Sequence, residues 1–399
     1  MFNKFTEIFV DHNNLRSSSL NLLPSESVMS PLAKKFLSSD MGQRYFFVNS
    51  FRSEGGYSYN YSGTKYIEEM LFLGEKIANE VFNSFECSLF PLSGHQANIA
   101  ILLAYCKAGD NIMVYDTKYG GYPGLDSSKL PKHLGLNTYY LPVQENIPEK
   151  IDLSRSLEQI LTIKPRMIIL SLAHTLFPFE LQSISEVAHS VGSIVVYDGS
   201  HPLGLIAGGQ FQSPLLEGAD FLLGGTQKSF PGPQGGIILS RIGFEKIREV
   251  EQFVMVDNPH YNRIAATAVT LWEMKIFGRD YAEQVIKNTK KLALHLWEAG
   301  LPILYPELGF TESHMFKIKF GTDYEKFVKS IEKANIIIDS AGRVGTAEMT
   351  RFGMKEDDMS IIAEFIIKAW FGENPEHLSK QVIDFRSSFS NVYYCQQSE

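Results

Sequence analysis

The chain has 399 residues, 44% of them hydrophobic, with 37 Lys+Arg against 45 Asp+Glu. That length builds two or three domains around a large core, and the composition excludes a disordered, repeat or disulfide-stapled protein. A net charge of -8 and a pI near 5.8 exclude the basic footprint of a nucleic-acid binder.

Met1 to Asp11 carries one Lys and one Glu among its apolar residues, which is not the pattern of a secretory signal. No run approaches the ~18 apolar residues of a membrane span. Cys87, Cys106 and Cys395 lie far apart and form neither a CxxC nor an even framework. They read as reduced thiols in a cytoplasmic protein, with no structural zinc and no metal site expected.

Further along, short continuous apolar runs predict buried strands at Asn111 to Tyr115, Met167 to Leu172, Ser193 to Tyr197, Phe221 to Leu223 and Gly236 to Leu239. Helical patterns fall between several of them, at Leu153 to Thr162 and Ile184 to Ser190. Strand, helix, strand in that order predicts right-handed crossovers and a mostly parallel α/β sheet covered on both faces. A ligand then binds beyond the carboxyl ends of the strands. A long helical stretch, Ile264 to Leu296, contains Gly278. A smaller C-terminal domain follows, with strands at Phe316 to Phe320 and Ile336 to Ile338 and helices at Glu325 to Lys333 and Ile361 to Trp370. The expected segments are an N-terminal arm at 1–50, a large domain at 51–280 and a small α+β domain at 281–399.

The most unusual stretch runs from Gly224 to Gly236, where Lys228 follows a strand among five glycines and two prolines. Such a loop lets backbone approach a ligand closely, and a desolvated lysine supplies a free amine for a carbonyl cofactor. Thirty residues earlier an apolar strand ends in Asp198, followed by His201. In a pyridoxal phosphate site an anionic Asp keeps the ring nitrogen protonated, so that the ring accepts electrons from a carbanion. Upstream, Ser93-Gly94-His95 opens an apolar helix, whose N-terminal amides suit a phosphate. Each element alone also has an ordinary reading: a solvated lysine, an Asp closing a turn, a Ser capping a helix.

Taken together, these segments resemble the serine hydroxymethyltransferase family of fold-type-I pyridoxal phosphate enzymes over nearly the whole chain. The matching residues are Leu22 to Ser27, Ser93 to Asn98, Tyr119 to Tyr122, Asp198 to Ile206, Thr226-Gln227-Lys228 with Gly232 to Gly236, and Gly342 to Thr346. The resemblance implies pyridoxal 5'-phosphate as cofactor, held by Lys228, Asp198, His201, Thr226, Gln227, Ser93, Gly94 and His95. It puts Tyr119 where the family stacks a His on the ring. It gives the amino-acid carboxylate to Ser25 and Arg343, although an arginine at this position also suits a surface ion pair. Glu54 and Tyr61 look like the acid-base Glu and the Tyr that the family donates from a neighbouring subunit, which implies a homodimer with shared sites. The Glu54 match needs a one-residue shift, and an exposed loop Glu is the other reading.

The chain departs from the family pattern at Gln227 (usually His), His95 (Ser) and Gln234 (Arg), and at Asp257-Asn258-Pro259 in place of Gly-Gly-Pro, so a contact from His95 or His260 is expected to compensate. Ala334 to Ala341 runs almost directly into Gly342-Arg343, where bacterial and eukaryotic members have a longer loop that contributes to the folate pocket. The reaction so implied makes or breaks the Cα–Cβ bond of a small β-hydroxy amino acid through a glycine quinonoid, with an aldehyde as second partner. The variants are a hydroxymethyltransferase or aldolase and a threonine transaldolase. Transamination is the enzymatic rival, and a cofactor-binding pseudoenzyme the non-enzymatic one.

Overall fold

The computed structural model describes residues 1–46, 61–319, 321 and 324–397. Two compact units are present. The larger comprises Met29–Arg279 with the C-terminal residues from Cys395, and the smaller comprises Met1–Val28 with Asp280–Tyr394.

The larger unit is built on seven strands, numbered here β1 (Glu86–Ser88), β2 (Asn111–Val114), β3 (Asn137–Tyr140), β4 (Met167–Ser171), β5 (Ile194–Asp198), β6 (Phe221–Gly225) and β7 (Gly236–Ser240). Their order across the sheet is β1-β7-β6-β5-β4-β2-β3. The pairs from β6 through β5, β4 and β2 to β3 are parallel, and β7 runs antiparallel to both β6 and β1. The expected mostly parallel α/β sheet is what the chain forms.

The continuous apolar runs follow from burial on both sides. Ile112, Val114, Met167, Ile169, Val196, Phe221 and Leu223 alternate onto one face, where they pack with Ala97, Ile101 and Leu102 of the helix Gly94–Tyr105. The residues between them, among them Met113, Ile168, Leu170, Val195 and Tyr197, are equally buried. At ~1.5–3 kcal/mol for each large apolar side chain removed from water, this double layer fixes the strand ends to which the polar residues attach.

β1 and β3 escape the sequence pattern for different reasons. β1 has only three residues, and β3 (Asn-Thr-Tyr-Tyr) is an edge strand exposed on alternate positions. The long helix runs from Tyr261 to Glu298, straight through Gly278. At Gly278 a Cβ would stand 3.0 Å from Met274 Cε and 3.5 Å from Gly208 Cα, so the glycine answers to close packing.

In the smaller unit, Leu20–Asn21 pairs in parallel with Ile336–Ile337, and Arg343–Gly345 pairs antiparallel with Met315–Lys317. The helices Tyr324–Lys333, Glu356–Trp370 and Pro375–Ser387 pack a core containing Leu20, Leu22, Phe316, Ile331, Ile336, Val344, Ile362 and Ile366. Through Leu20 and Leu22 the N-terminal segment therefore shares a core with the C-terminal part of the chain. Among the described residues, no helix is long and apolar enough to cross a membrane.

Candidate active site

At the carboxyl ends of β4, β5 and β6 lies a cavity lined by Ser93, Gly94, His95, Tyr122, Ser171, Leu172, Ala173, Asp198, Ser200, His201, Gly225, Gln227 and Lys228. Seven of the residues expected from the sequence thus come together in one place within the larger unit: Lys228, Asp198, His201, Gln227, Ser93, Gly94 and His95.

Asp198 closes β5 and is 7% exposed. Its Oδ1 accepts from Ser200 N at 3.0 Å and Ser200 Oγ at 2.6 Å, and its Oδ2 accepts from Ser171 Oγ at 2.8 Å and Asn98 Nδ2 at 3.0 Å. Four donors on two oxygens offset the loss of water around a buried carboxyl group.

Lys228 sits in a loop closed on itself. Thr226 Oγ1 donates to Pro233 O at 2.6 Å, Thr226 N to Gly235 O at 3.1 Å, and Gly232 N to Thr226 O at 2.9 Å. The next residue, Ser229, donates through its hydroxyl to His201 O and accepts from Gly204 N at 3.0 Å. Gly204 has no room for a side chain, because a Cβ there would meet Ser229 O at 2.2 Å. Arg263, 5% exposed, abuts the loop, where a Cβ on Gly235 would stand 2.6 Å from its Nη1, and is itself held by Nη2 donating to Leu89 O at 2.6 Å and Pro259 O at 2.8 Å. Burial lowers its pKa to about 10.

The helix Gly94–Tyr105 is capped by Ser93, whose Oγ accepts from Gln96 N at 3.1 Å. The cap takes up the Gln96 amide, and the earlier amides of the first turn, at Gly94 and His95, belong to residues that line the cavity. His95 and Tyr122 pack edge to face, with ring centroids 5.9 Å apart. Burial, and then the neighbouring Asp198, raise the pKa of Tyr122.

Two expected cofactor contacts have other surroundings. Tyr119 is not among the residues lining the cavity, and Lys118 lies over its ring at 5.1 Å; Tyr122, three residues on, lines it instead. Gly120 at φ 92° and Gly121, whose Cβ would stand 2.2 Å from Tyr115 O, turn the chain between the two tyrosines. Thr226 is fully buried, bonds within its own loop and is likewise not among the lining residues.

The expected carboxylate contacts belong to the smaller unit, where Gly345 N donates to Leu22 O at 2.8 Å and His314 Nε2 lies 3.1 Å from Pro24 O. These bonds join the Leu22 to Ser25 segment to the strand that carries Arg343 and to the start of its antiparallel partner. Arg343 Nε donates to Asp339 Oδ2 at 2.6 Å, and both side chains are largely buried. Tyr61 is exposed, with its ring 5.6 Å from that of Tyr45. Glu54 lies outside the described residues.

Sequence reasoning missed Asn98, Ser171, Ser200 and Tyr122. For Asn98 a signal existed, since it is a polar residue within the apolar helix that follows Ser93 and is 1% exposed. The cavity suits a flat anionic cofactor with an acceptor-seeking ring nitrogen. It offers a caged carboxylate, an amine and a capped helix start, and Gln227 Oε1 is buried there with no hydrogen-bond partner.

The comparisons agree with this geometry. A solved structure, the crystal structure of L-threonine transaldolase from Pseudomonas fluorescens in its internal aldimine state, superposes with a TM-score of 0.90 over 98% of this chain and 93% of that one, at 27% identity. The fold and site define a pyridoxal phosphate enzyme of fold type I. The family model for serine hydroxymethyltransferase matches residues 3–366. Serine hydroxymethyltransferase of Methanocella arvoryzae is 37% identical over 94% of this chain and 92% of its own, and that of Saccharolobus islandicus 37% over 95% and 90%. The chain belongs to the serine hydroxymethyltransferase family, and its activity is of the pyridoxal phosphate-dependent hydroxymethyltransferase or aldolase type.

Proposed function

We propose that the enzyme makes or breaks the Cα–Cβ bond of a small β-hydroxy amino acid, releasing or taking up an aldehyde. The observation that carries this reading is the single cavity in which Lys228, Asp198 and His201 meet the Ser93–His95 turn. When bound, the cofactor supplies an electron sink for a carbanion at Cα. Lys228 offers the amine that holds the cofactor's carbonyl carbon, and Asp198 the acceptor for its ring nitrogen. His201 serves its phenolic oxygen, and Ser93, Gly94 and His95 its phosphate.

Arg343 and Ser25 bind the amino-acid carboxylate. Asp339 holds the Nε edge of the Arg343 guanidinium, which fixes the plane of the fork offered to a carboxylate. Glu54 and Tyr61 of a second copy complete the site, Glu54 moving the proton of the β-hydroxyl, so the working form is a homodimer. Cys87, Cys106 and Cys395 form no disulfide, which suits the reducing cytoplasm to which we assign the enzyme.

We take turnover to be independent of folate. Between the strands Ile336–Ile337 and Arg343–Gly345 lies a tight turn, with Asp339 Oδ1 accepting from Ala341 N at 2.9 Å and Arg343 N at 3.0 Å. So short a connection supports this reading, because the resemblance puts a longer, folate-binding loop here in bacterial and eukaryotic members. A second reading, transaldolase chemistry in which another aldehyde takes the place of the one released, is favoured by the likeness to the Pseudomonas fluorescens enzyme.

Incubation with threonine or serine, with and without a folate and with a panel of aldehydes, tests both readings. Free aldehyde and glycine from threonine without folate are expected, and a new β-hydroxy amino acid on adding a second aldehyde marks the transaldolase. Strict dependence on folate with serine overturns the folate-independent reading. A keto acid product in place of glycine overturns the aldol reading in favour of transamination.

A further inference from the structure

Ser200 stands where three segments of the site converge. Its hydroxyl donates to Asp198 Oδ1 at 2.6 Å and accepts from Gly225 N at 3.1 Å, while its own amide donates to Asp198 Oδ1 at 3.0 Å. Gly225 is the last residue of β6, three positions before Lys228. The third segment is the helix start, where a Cβ on Gly94 would stand 2.8 Å from Ser200 Oγ and 3.0 Å from Gly225 N. One oxygen therefore touches the strand end that carries the carboxylate and the strand end that leads to the lysine, and it leaves the phosphate turn only the space of a glycine.

The direction of these bonds matters. An amide donates to a hydroxyl, and the hydroxyl donates to a carboxylate, so each bond polarises the next and the chain of donors ends on Asp198 Oδ1. Without the hydroxyl, Asp198 loses one of its four donors and the buried Gly225 N–H loses its acceptor. Such losses cost more than the bonds themselves contribute.

We infer that Ser200 is a positioning residue of this enzyme. It holds the Asp198 carboxyl group oriented toward the cofactor's ring nitrogen and keeps it in register with the Lys228 loop. The inference rests on the assignment of Asp198 to the ring nitrogen, and the test separates the two.

Wild type, Ser200→Ala, Asp198→Asn and the double variant are stripped of cofactor and titrated with pyridoxal 5'-phosphate, following the visible absorption of the bound cofactor over a range of pH. Ser200→Ala is expected to weaken binding by about ten- to a hundredfold. It should also move the pH at which the bound cofactor's absorption changes. In the Asp198→Asn background the same substitution should add less than about twofold, because Ser200 acts through that carboxylate. Ser200→Thr, which keeps the hydroxyl, should restore the wild-type spectrum, whereas Ser200→Val, of the same shape, should behave like Ala. Melting of each cofactor-free variant shows that it is folded, and the Thr and Val pair decides the matter if Ala is not.

Wild-type affinity and spectrum in Ser200→Ala, alongside altered ones in Asp198→Asn, overturn the role of Ser200 and leave Asp198 standing. Losses that add fully in the double variant also overturn it. An Asp198→Asn protein that binds as wild type overturns the Asp198 assignment itself.

Discussion

Asp198 and Glu251 are carboxylic acids of the same unit, 7% and 3% exposed, and their surroundings treat them in opposite ways. Around Asp198 two hydroxyls, an amide side chain and a backbone N–H converge. Glu251 Oε1 has no hydrogen-bond partner, and burial drives the pKa of this acid up to about 8 against the opposing pull of Ser88 and Arg248. Depth alone therefore marks neither one as functional. What differs is the number of hydrogen bonds: both oxygens of Asp198 are bonded, whereas one oxygen of Glu251 is left bare. Asp339, in the smaller unit, is a third case: it is 14% exposed and receives two backbone amides and the Arg343 guanidinium within a single turn.

The sharpest way to break this contrast is at Lys228. Lys228→Ala should fall to background turnover and lose stable attachment of the cofactor, read from activity and from absorption after gel filtration. An Ala variant as active as wild type would remove the Asp198 region from the chemistry altogether. A smaller effect belongs to the third carboxylate's partner. Arg343→Lys should raise KM for the amino acid by about tenfold or more with a lesser change in kcat, since a point charge cannot replace the fork that Asp339 orients. Steady-state kinetics with threonine would show the split, and an unchanged KM would take the substrate carboxylate away from Arg343.

The smallest effect belongs to Glu251. In the folded protein it keeps a proton up to about pH 8, whereas the unfolded chain releases it near the ordinary value of 4.5. Its contribution to stability is therefore complete below about pH 4.5 and is lost as the pH rises through about 8. Glu251→Gln should flatten that alkaline decline, raising the melting temperature at pH 9 by roughly 2–4 °C while leaving turnover unchanged. An unaltered pH profile of melting would show that Glu251 is not the group that titrates.

The parts of this molecule legible in its sequence are those with a local cause. The five runs that became β2, β4, β5, β6 and β7 are continuous because both of their faces are covered, and Lys228, Asp198 and His201 stand out because glycines and strand ends surround them. Two of the residues that donate to Asp198 were hidden by distance along the chain: Asn98 lies 100 residues away and Ser171 lies 27 away. No spacing rule links them until the sheet brings β4 and β5 into register, with Ser171 directly opposite Asp198. Tyr122 was hidden for another reason. Gly120 and Gly121 reverse the chain just before it, so counting positions from a motif does not tell which tyrosine faces the cavity.

The pairing of Leu20–Asn21 with Ile336–Ile337 also bears on how the chain is made. Leu20 and Ile336 are 316 residues apart (336 − 20), and translation at ~5–20 residues per second separates their emergence by roughly 15 to 60 s. Throughout that interval Leu20 and Leu22, destined for complete burial, have no core to enter. The larger unit, continuous in sequence from residue 29 to 279 apart from the residues from Cys395, can close most of its core on the ribosome first. The N-terminal segment must wait, and it is the segment a chaperone would be most needed to shield.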